Sequence, residues 1–264
     1  MTDNLLLLRK KLKNKFRKRE RMFAGWISYS HPSITETFAR MNVDFIAIDM
    51  EHSTINAEQS QRIISASQGL NVPCLPRPVS QSNEIFKPIL ESGCDGMIVT
   101  TVENTMQLDE IINNFKYPPI GKRPYGVNRA QGYGHNTIEY YDNWNNSSSL
   151  ILQIENINGL ENSENLIKNK HVDGVMIGPY DLSGSLGIPG DFKNKKYEDA
   201  IKNIIKLCKK YKKSCGTQIA NIDQDLIKYN LKLGFNFIVL GSDLFVITDW
   251  AIKTNKIINH IKNK

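Results

Sequence analysis

The chain has 264 residues, 40% of them apolar, and a formal charge of +7 at neutral pH. That length suffices for one large core. No apolar run reaches the roughly 20 residues needed to cross a bilayer, and no apolar signal segment with a cleavage site opens the chain. Cys74, Cys94, Cys208 and Cys215 form neither a CxxC pair nor the dense spacing of a small secreted scaffold, so a soluble, cytoplasmic protein with reduced thiols is expected. The positive charge is concentrated in RKKLKNKFRKRER at 9–21 and KLCKKYKK at 206–213 with no nucleic-acid module beside it. Neither nucleic acid nor a membrane is therefore expected as a partner.

In chain order, the first element is a basic helix over 1–22, with Leu5 to Leu8, Leu12 and Phe16 on its apolar side, expected to cap one end of the fold. Apolar runs then predict strands at 23–29, 45–50, 74–78 and 96–102, and again at 150–156, 174–179, 215–220 and 237–243. Helical spacing fills 33–41, 57–69, 83–92 and 105–115, then 161–170, 197–213, 223–233 and 244–262. Short apolar strands alternating with amphipathic helices are the pattern of βαβ units around a parallel sheet. Eight repeats in about 250 residues predict an α/β fold, a single (β/α)8 TIM barrel spanning 1–264. A doubly wound open sheet is the alternative.

The spacing breaks at 117–149 and at 182–196, where Gly, Pro, Asn and aromatic residues replace helical periodicity. Both are read as long loops over the catalytic end, which makes Arg123, Tyr125, Asn128, Arg129, Tyr133 and His135 candidates for substrate recognition or a lid. The alternative is an ordinary surface loop. The GSD at 241–243 is a weak candidate for a phosphate site, lacking a glycine-rich loop after strand 7.

Polar groups stand where the apolar strands end: Asp49 and His52 at the end of strand 2, Arg77 at that of strand 3, Glu155 at that of strand 5 and Asp181 at that of strand 6. One acid at a strand end is most simply a helix cap, but several on one rim suggest a site. Glu155 and Asp181, about one βα repeat apart, are spaced as two hard oxygen ligands for Mg2+ or Mn2+, with Co2+ a further option, leaving most of the shell to water and substrate. Zinc fits less well without a pair of His or Cys. His52 suits a general base, with Asp49 orienting it if the turn brings them together, and Arg77, set between two prolines, suits an enolate or carboxylate oxygen. None of the predicted strands contains a lysine for a Schiff base, which favours metal-assisted enolisation.

These residues resemble the HpcH/HpaI aldolase and citrate lyase family. DFIAIDMEH at 44–52, RP at 77–78, YPPIGKR at 117–123, QIE at 153–155 and VDGVMIGPYDLSGSLG at 172–187 carry the likeness, which runs from about 23 to 245. The resemblance implies a barrel of the phosphoenolpyruvate/pyruvate type, a homo-oligomer, commonly a hexamer, and reversible cleavage of 4-hydroxy-2-oxo acids to pyruvate and an aldehyde. It implies Glu155 and Asp181 as metal ligands, Arg77 as the enolate-stabilising group and His52 with Asp49 as the acid/base pair. Gln153 would bind pyruvate, and Gly178, Pro179 and Tyr180 would shape the cradle for its carboxylate. The sequence departs from the family at Tyr180, often alanine, at Thr100, often proline, and at Pro124, often glycine. A CoA-thioester lyase of the citrate lyase branch, or a non-catalytic sugar-acid binding protein on the same fold, are the alternatives.

Overall fold

The computed structural model describes residues 2–263, so Met1 and Lys264 of the expected domain lie outside the described residues. Eight parallel strands form one sheet: β1 Met22–Ile27, β2 Phe45–Asp49, β3 Cys74–Arg77, β4 Gly96–Val99, β5 Ser149–Ile154, β6 Gly174–Ile177, β7 Ser214–Ile219 and β8 Phe237–Leu240. The helices are α1 Thr2–Lys18, α2 Pro32–Ala39, α3 Ala57–Gly69, α4 Asn83–Glu91, α5 Thr105–Phe115, α6 Thr137–Ser147, α7 Ile157–Glu161, α8 Ser163–Ile167, α9 Pro179–Ser185, α10 Lys195–Lys210, α11 Gln224–Leu233 and α12 Asp243–Lys262.

Each strand lies inside or overlaps a predicted apolar run, because strands covered on both faces need apolar residues at every position. The ladder runs β3-β2-β1-β8-β7-β6-β5-β4, and β3 lies beside β4 to close the ring. The register of β2 with β3 turns the amide positions of Cys74 and Pro76 toward β4. Pro76 has no N–H to give, so the seam there has no regular ladder, and Cys74 N–H instead reaches the Asp95 carboxylate at 2.9 Å. Inside the barrel, Trp26, Ala47, Leu75, Ile98, Ile151, Met176 and Phe237 form one packed cluster; the larger cluster lies between the strands and the surrounding helices.

Helix α1 lies across the N-terminal ends of the strands. Its Leu12 and Phe16 enter the interior cluster, and Phe16 meets Phe45 of β2 and Phe237 of β8 at ring-centroid distances of 5.6 Å each. Its basic face is tied down just before the strands begin: Arg9 Nε to Asp95 at 3.0 Å and Lys13 Nζ to Asp173 at 2.6 Å. The basic run read from the sequence is thus partly a buried ion-pair face.

Segment 117–149 is not over the catalytic end, as the sequence suggested. It joins α5 to β5, and α5 has already carried the chain back to the N-terminal end of the barrel, so this is an αβ connection packed on α1 and α4. It contains α6, whose Trp144 donates to the Phe115 carbonyl at 2.7 Å. Arg123 is buried there, 2.9 Å from Glu91 and 3.1 Å from the Tyr140 hydroxyl, with its guanidinium 4.6 Å from the Tyr117 ring and 4.8 Å from the Trp144 ring. Arg123 is therefore a packed structural cation and not a substrate-binding residue of this barrel's mouth. Arg129 likewise is spent within the fold, donating to the Ser92 carbonyl at the end of α4 and to Gln68 Oε1 at 2.8 Å each. The other break, 182–196, follows β6 and does lie at the C-terminal end, where α9 occupies its first residues.

Candidate active site

The C-terminal ends of β2, β3, β5 and β6 bring Asp49, Glu51, His52, Arg77, Gln153, Glu155 and Asp181 to one rim. An open cleft of about 400 Å³ is lined by Glu51, His52, Thr101, Glu155, Tyr180 and Asp181. A more enclosed apolar cavity of about 260 Å³ lies outside the barrel wall, between α10 and α11. The strand-end carboxylates Glu51, Glu155 and Asp181 face the first, which makes it the candidate active site.

Glu155 is held rigidly. Its Oε1 accepts from both the amide and the hydroxyl of Thr101, at 2.7 and 2.8 Å, and its Oε2 accepts from Gln153 Nε2. Thr101 reaches it from a left-handed backbone conformation, φ 53°, which a β-branched residue seldom adopts; such strain is tolerated where the surroundings fix the residue. Burial pushes the Glu155 carboxyl above the usual glutamate range, and the charges of Glu51 and Asp181 add to the rise against the opposing Thr101 hydrogen bonds. Asp181 stands exposed in the first turn of α9.

The turn after β6 comes close because it carries glycine. A Cβ on Gly178 would lie 2.8 Å from Glu155 Oε2 and 3.0 Å from Gln153 Nε2. Gln153 Oε1 is buried and has no hydrogen-bond partner among the described residues. Two carboxylates plus this orphaned oxygen are a hard-oxygen donor set that suits a small divalent cation. Among the described residues no group of three or more His, Cys, Asp or Glu converges on one point, so such a cation would take its remaining ligands from water or substrate.

Arg77 is the other fixed group. Its Nη2 is 2.7 Å from Asp49 Oδ1, its Nη1 is 3.0 Å from Glu51 Oε2, and its guanidinium lies 4.6 Å from the Trp26 ring. Nε is buried and unpaired. Asp49 does not orient the His52 ring as expected: it accepts from the backbone N–H groups of Glu51 and His52 at 3.1 and 3.0 Å and from Trp26 Nε1 at 3.3 Å. Burial pushes the Asp49 carboxyl up, but Arg77 and these donors outweigh it and hold it below the usual aspartate range. The His52 imidazole is exposed, with Glu51 Oε2 3.6 Å from its Nε2. Tyr180 is exposed at the cleft edge with its ring 5.1 Å from that of Phe192, next to Pro179 at the start of α9. Asp243 spends its carboxylate on the amides of Ser28 and Tyr29 at 2.8 and 2.9 Å, which puts negative charge where a phosphate at 241–243 would sit.

Sequence reasoning missed Glu51. Glu51 lies between two singled-out residues in DMEH, and only the turn geometry shows which carboxylate reaches the ring.

The fold and rim define a parallel (β/α)8 barrel with a candidate site at its mouth, and the comparisons give its class. A sequence profile of the HpcH/HpaI aldolase/citrate lyase family matches residues 23–249, and the chain belongs to that family. It is 28% identical over 244 residues, 92% of this chain and 91% of its counterpart, to the 2-keto-3-deoxy-L-rhamnonate aldolase of Escherichia coli (strain K12). Its fold matches an HpcH/HpaI aldolase/citrate lyase family protein of Burkholderia cenocepacia J2315, with a TM-score of 0.87 at 21% identity over 95% of this chain and 99% of the other. It also matches the HpcH/HpaI aldolase of Desulfitobacterium hafniense DCB-2, with a TM-score of 0.85 at 21% identity over 93% and 95%. The chain is thus a carbon–carbon lyase of the aldolase kind.

Proposed function

We propose that this enzyme reversibly cleaves a 4-hydroxy-2-oxo acid, of the 2-keto-3-deoxy sugar acid type, into pyruvate and an aldehyde. The observation that carries the reading is Arg77, buried and clamped by two carboxylates on the same rim as the Glu155 and Asp181 pair. Glu155 and Asp181 would hold a divalent cation, Mg2+ or Mn2+ by the hardness of the donors, and that cation would supply Lewis acidity to the site. The residues do the rest. Arg77 stabilises the oxygen on which enolate charge develops as the carbon–carbon bond breaks. His52 takes the proton from the acceptor hydroxyl as the aldehyde forms. Gln153 and the amides of Tyr180 and Asp181 hold the pyruvate carboxylate, close to the backbone that Gly178 permits.

The acceptor side is polar. A groove of about 650 Å³ shares Glu51 and Thr101 with the cleft and is lined by Ser80, Gln81, Asn83, Gln107 and Asn114, which suits a hydroxylated chain. The activity of the Escherichia coli relative, named for a 2-keto-3-deoxy sugar acid, points the same way.

Helix α12 supports a homo-oligomer. Asp243 alone among its described residues is buried, while Trp250, Ile257 and Ile261 are each more than 60% exposed, a long apolar surface that soluble monomers rarely leave bare. Among the described residues no helix is long and apolar enough to cross a membrane. Four free, buried cysteines fit a reducing cytoplasm.

Pyruvate α-proton exchange into D2O, followed by NMR with metal-stripped and then Mn2+-, Mg2+- or Co2+-loaded protein, tests this reading without knowledge of the acceptor. Metal-dependent exchange is expected. Absence of exchange with every metal in folded protein, or turnover of a CoA thioester instead, would overturn it.

A further inference from the structure

We propose that Glu51 is the positioning residue that couples Arg77 to His52, an inference that rests on the pyruvate–aldehyde reading above. One oxygen makes both contacts: Glu51 Oε2 is 3.0 Å from Arg77 Nη1 and 3.6 Å from His52 Nε2. Asp49 cannot serve the imidazole, because its Oδ1 is already shared by Arg77 and two backbone amides while its Oδ2 faces Trp26. Among the described residues Glu51 is the carboxylate within ion-pair distance of the ring.

The burial gradient gives the contact its use. The Arg77 side chain is 7% exposed, Glu51 17% and His52 67%. A rigid, buried cation therefore anchors a half-buried carboxylate, which in turn restrains an exposed ring that no other side chain among the described residues pairs with. With its Nε2 side turned to Glu51, the imidazole presents Nδ1 as the base toward the acceptor hydroxyl. The same carboxylate fixes the guanidinium plane at Nη1 while Asp49 fixes it at Nη2, leaving the unpaired Nε–H as a donor for developing negative charge.

Two activities separate this role from a merely structural one. Pyruvate proton exchange needs the enolate stabilised but no acceptor hydroxyl, whereas cleavage of a 4-hydroxy-2-oxo acid needs His52 as well. Glu51→Gln keeps the shape and removes the charge. It is expected to lower the kcat of cleavage by at least about tenfold more than it lowers pyruvate exchange, with KM little changed. Glu51→Asp should recover part of that loss. The double variant Glu51→Gln/His52→Ala should cleave within about threefold of His52→Ala alone, because residues acting as a unit are not additive.

Mn2+ binding, read by electron paramagnetic resonance without turnover, separates positioning from direct metal ligation. Glu51→Gln is expected to bind Mn2+ within about threefold of wild type, while Glu155→Gln loses it. Equal losses in exchange and cleavage, fully additive losses in the double variant, or loss of Mn2+ by Glu51→Gln to the extent seen in Glu155→Gln would each overturn the assignment. Failure of the wild-type protein to exchange pyruvate would instead overturn the reading on which it rests, and the assignment with it.

Discussion

The two ends of this barrel carry similar charged residues and use them in opposite ways. At the N-terminal end, Arg9, Lys13 and Arg123 are paired with Asp95, Asp173 and Glu91, each cation buried to 5% side-chain exposure or less. At the C-terminal end, two of four carboxylates share one buried arginine, the histidine is exposed and, among the described residues, a buried amide oxygen lacks a partner. Charges satisfied by one another hold a fold together; charges left partly unsatisfied around a cleft are available to a ligand. Barrels of this type place stability at one face and chemistry at the other.

The sharpest way to break the comparison is to damage each end separately. Phe16→Ala at the floor should cost about 3–5 kcal/mol of stability, from lost burial and a cavity among three rings. Asp95→Asn, which leaves Arg9 buried opposite a neutral group, should cost a similar amount. Chemical denaturation reads both, and each variant should enolise pyruvate at near the wild-type rate where it stays folded. At the mouth the signs reverse. Arg77→Ala and Glu155→Ala should each lose about a hundredfold or more in pyruvate exchange, about 2.7 kcal/mol of transition-state stabilisation. Retained exchange in either would refute the placement of the site.

A pH series sharpens the contrast. Because Glu155 is raised in the folded protein, the fold favours its protonated form, and ionising it costs stability as pH rises through its folded value. A cation must displace that proton, so Mn2+ affinity should fall by up to about tenfold per pH unit on acidification, starting above the ordinary glutamate value of about 4.3. Titration calorimetry between neutral and mildly acidic pH measures this, and a flat affinity would count against Glu155 as a ligand. Replacing Trp250 and Ile257 of α12 by Glu should shift the protein to smaller species in analytical ultracentrifugation while leaving the floor intact. The smallest effect belongs to neither end. Lys202→Ala removes an exposed pair with Glu198 on α10 and should change stability by no more than about 0.5 kcal/mol.

Much of this was legible in the sequence. The eight strands show as apolar runs because both of their faces are covered, and Glu155, Asp181 and Arg77 show because polar groups interrupt those runs. The end of the barrel at which 117–149 lies was misread: Arg, Tyr and Asn look like ligand-binding residues, yet the segment follows a helix and so belongs to the opposite face. Helix α6 was hidden because its buried face is carried by Tyr140 and Trp144 among asparagines, which weakens the apolar periodicity. The partner of His52 was hidden for a finer reason. Asp49 and Glu51 differ by one tight turn, and only the backbone hydrogen bonds to Asp49 show that its oxygens are spent.

The docking of α1 also bears on how the chain is made. Phe16 emerges from the ribosome early, but it packs on Phe237 of the last strand, and its carbonyl receives the Ser214 hydroxyl from β7 at 2.7 Å. Synthesis proceeds at about 5–20 residues per second, so this helix waits on the order of ten seconds or more for its seat to be completed. This helix is thus among the last pieces to be fully seated, and a nascent chain halted before β8 would carry an apolar, basic helix whose seat lacks the Phe237 ring.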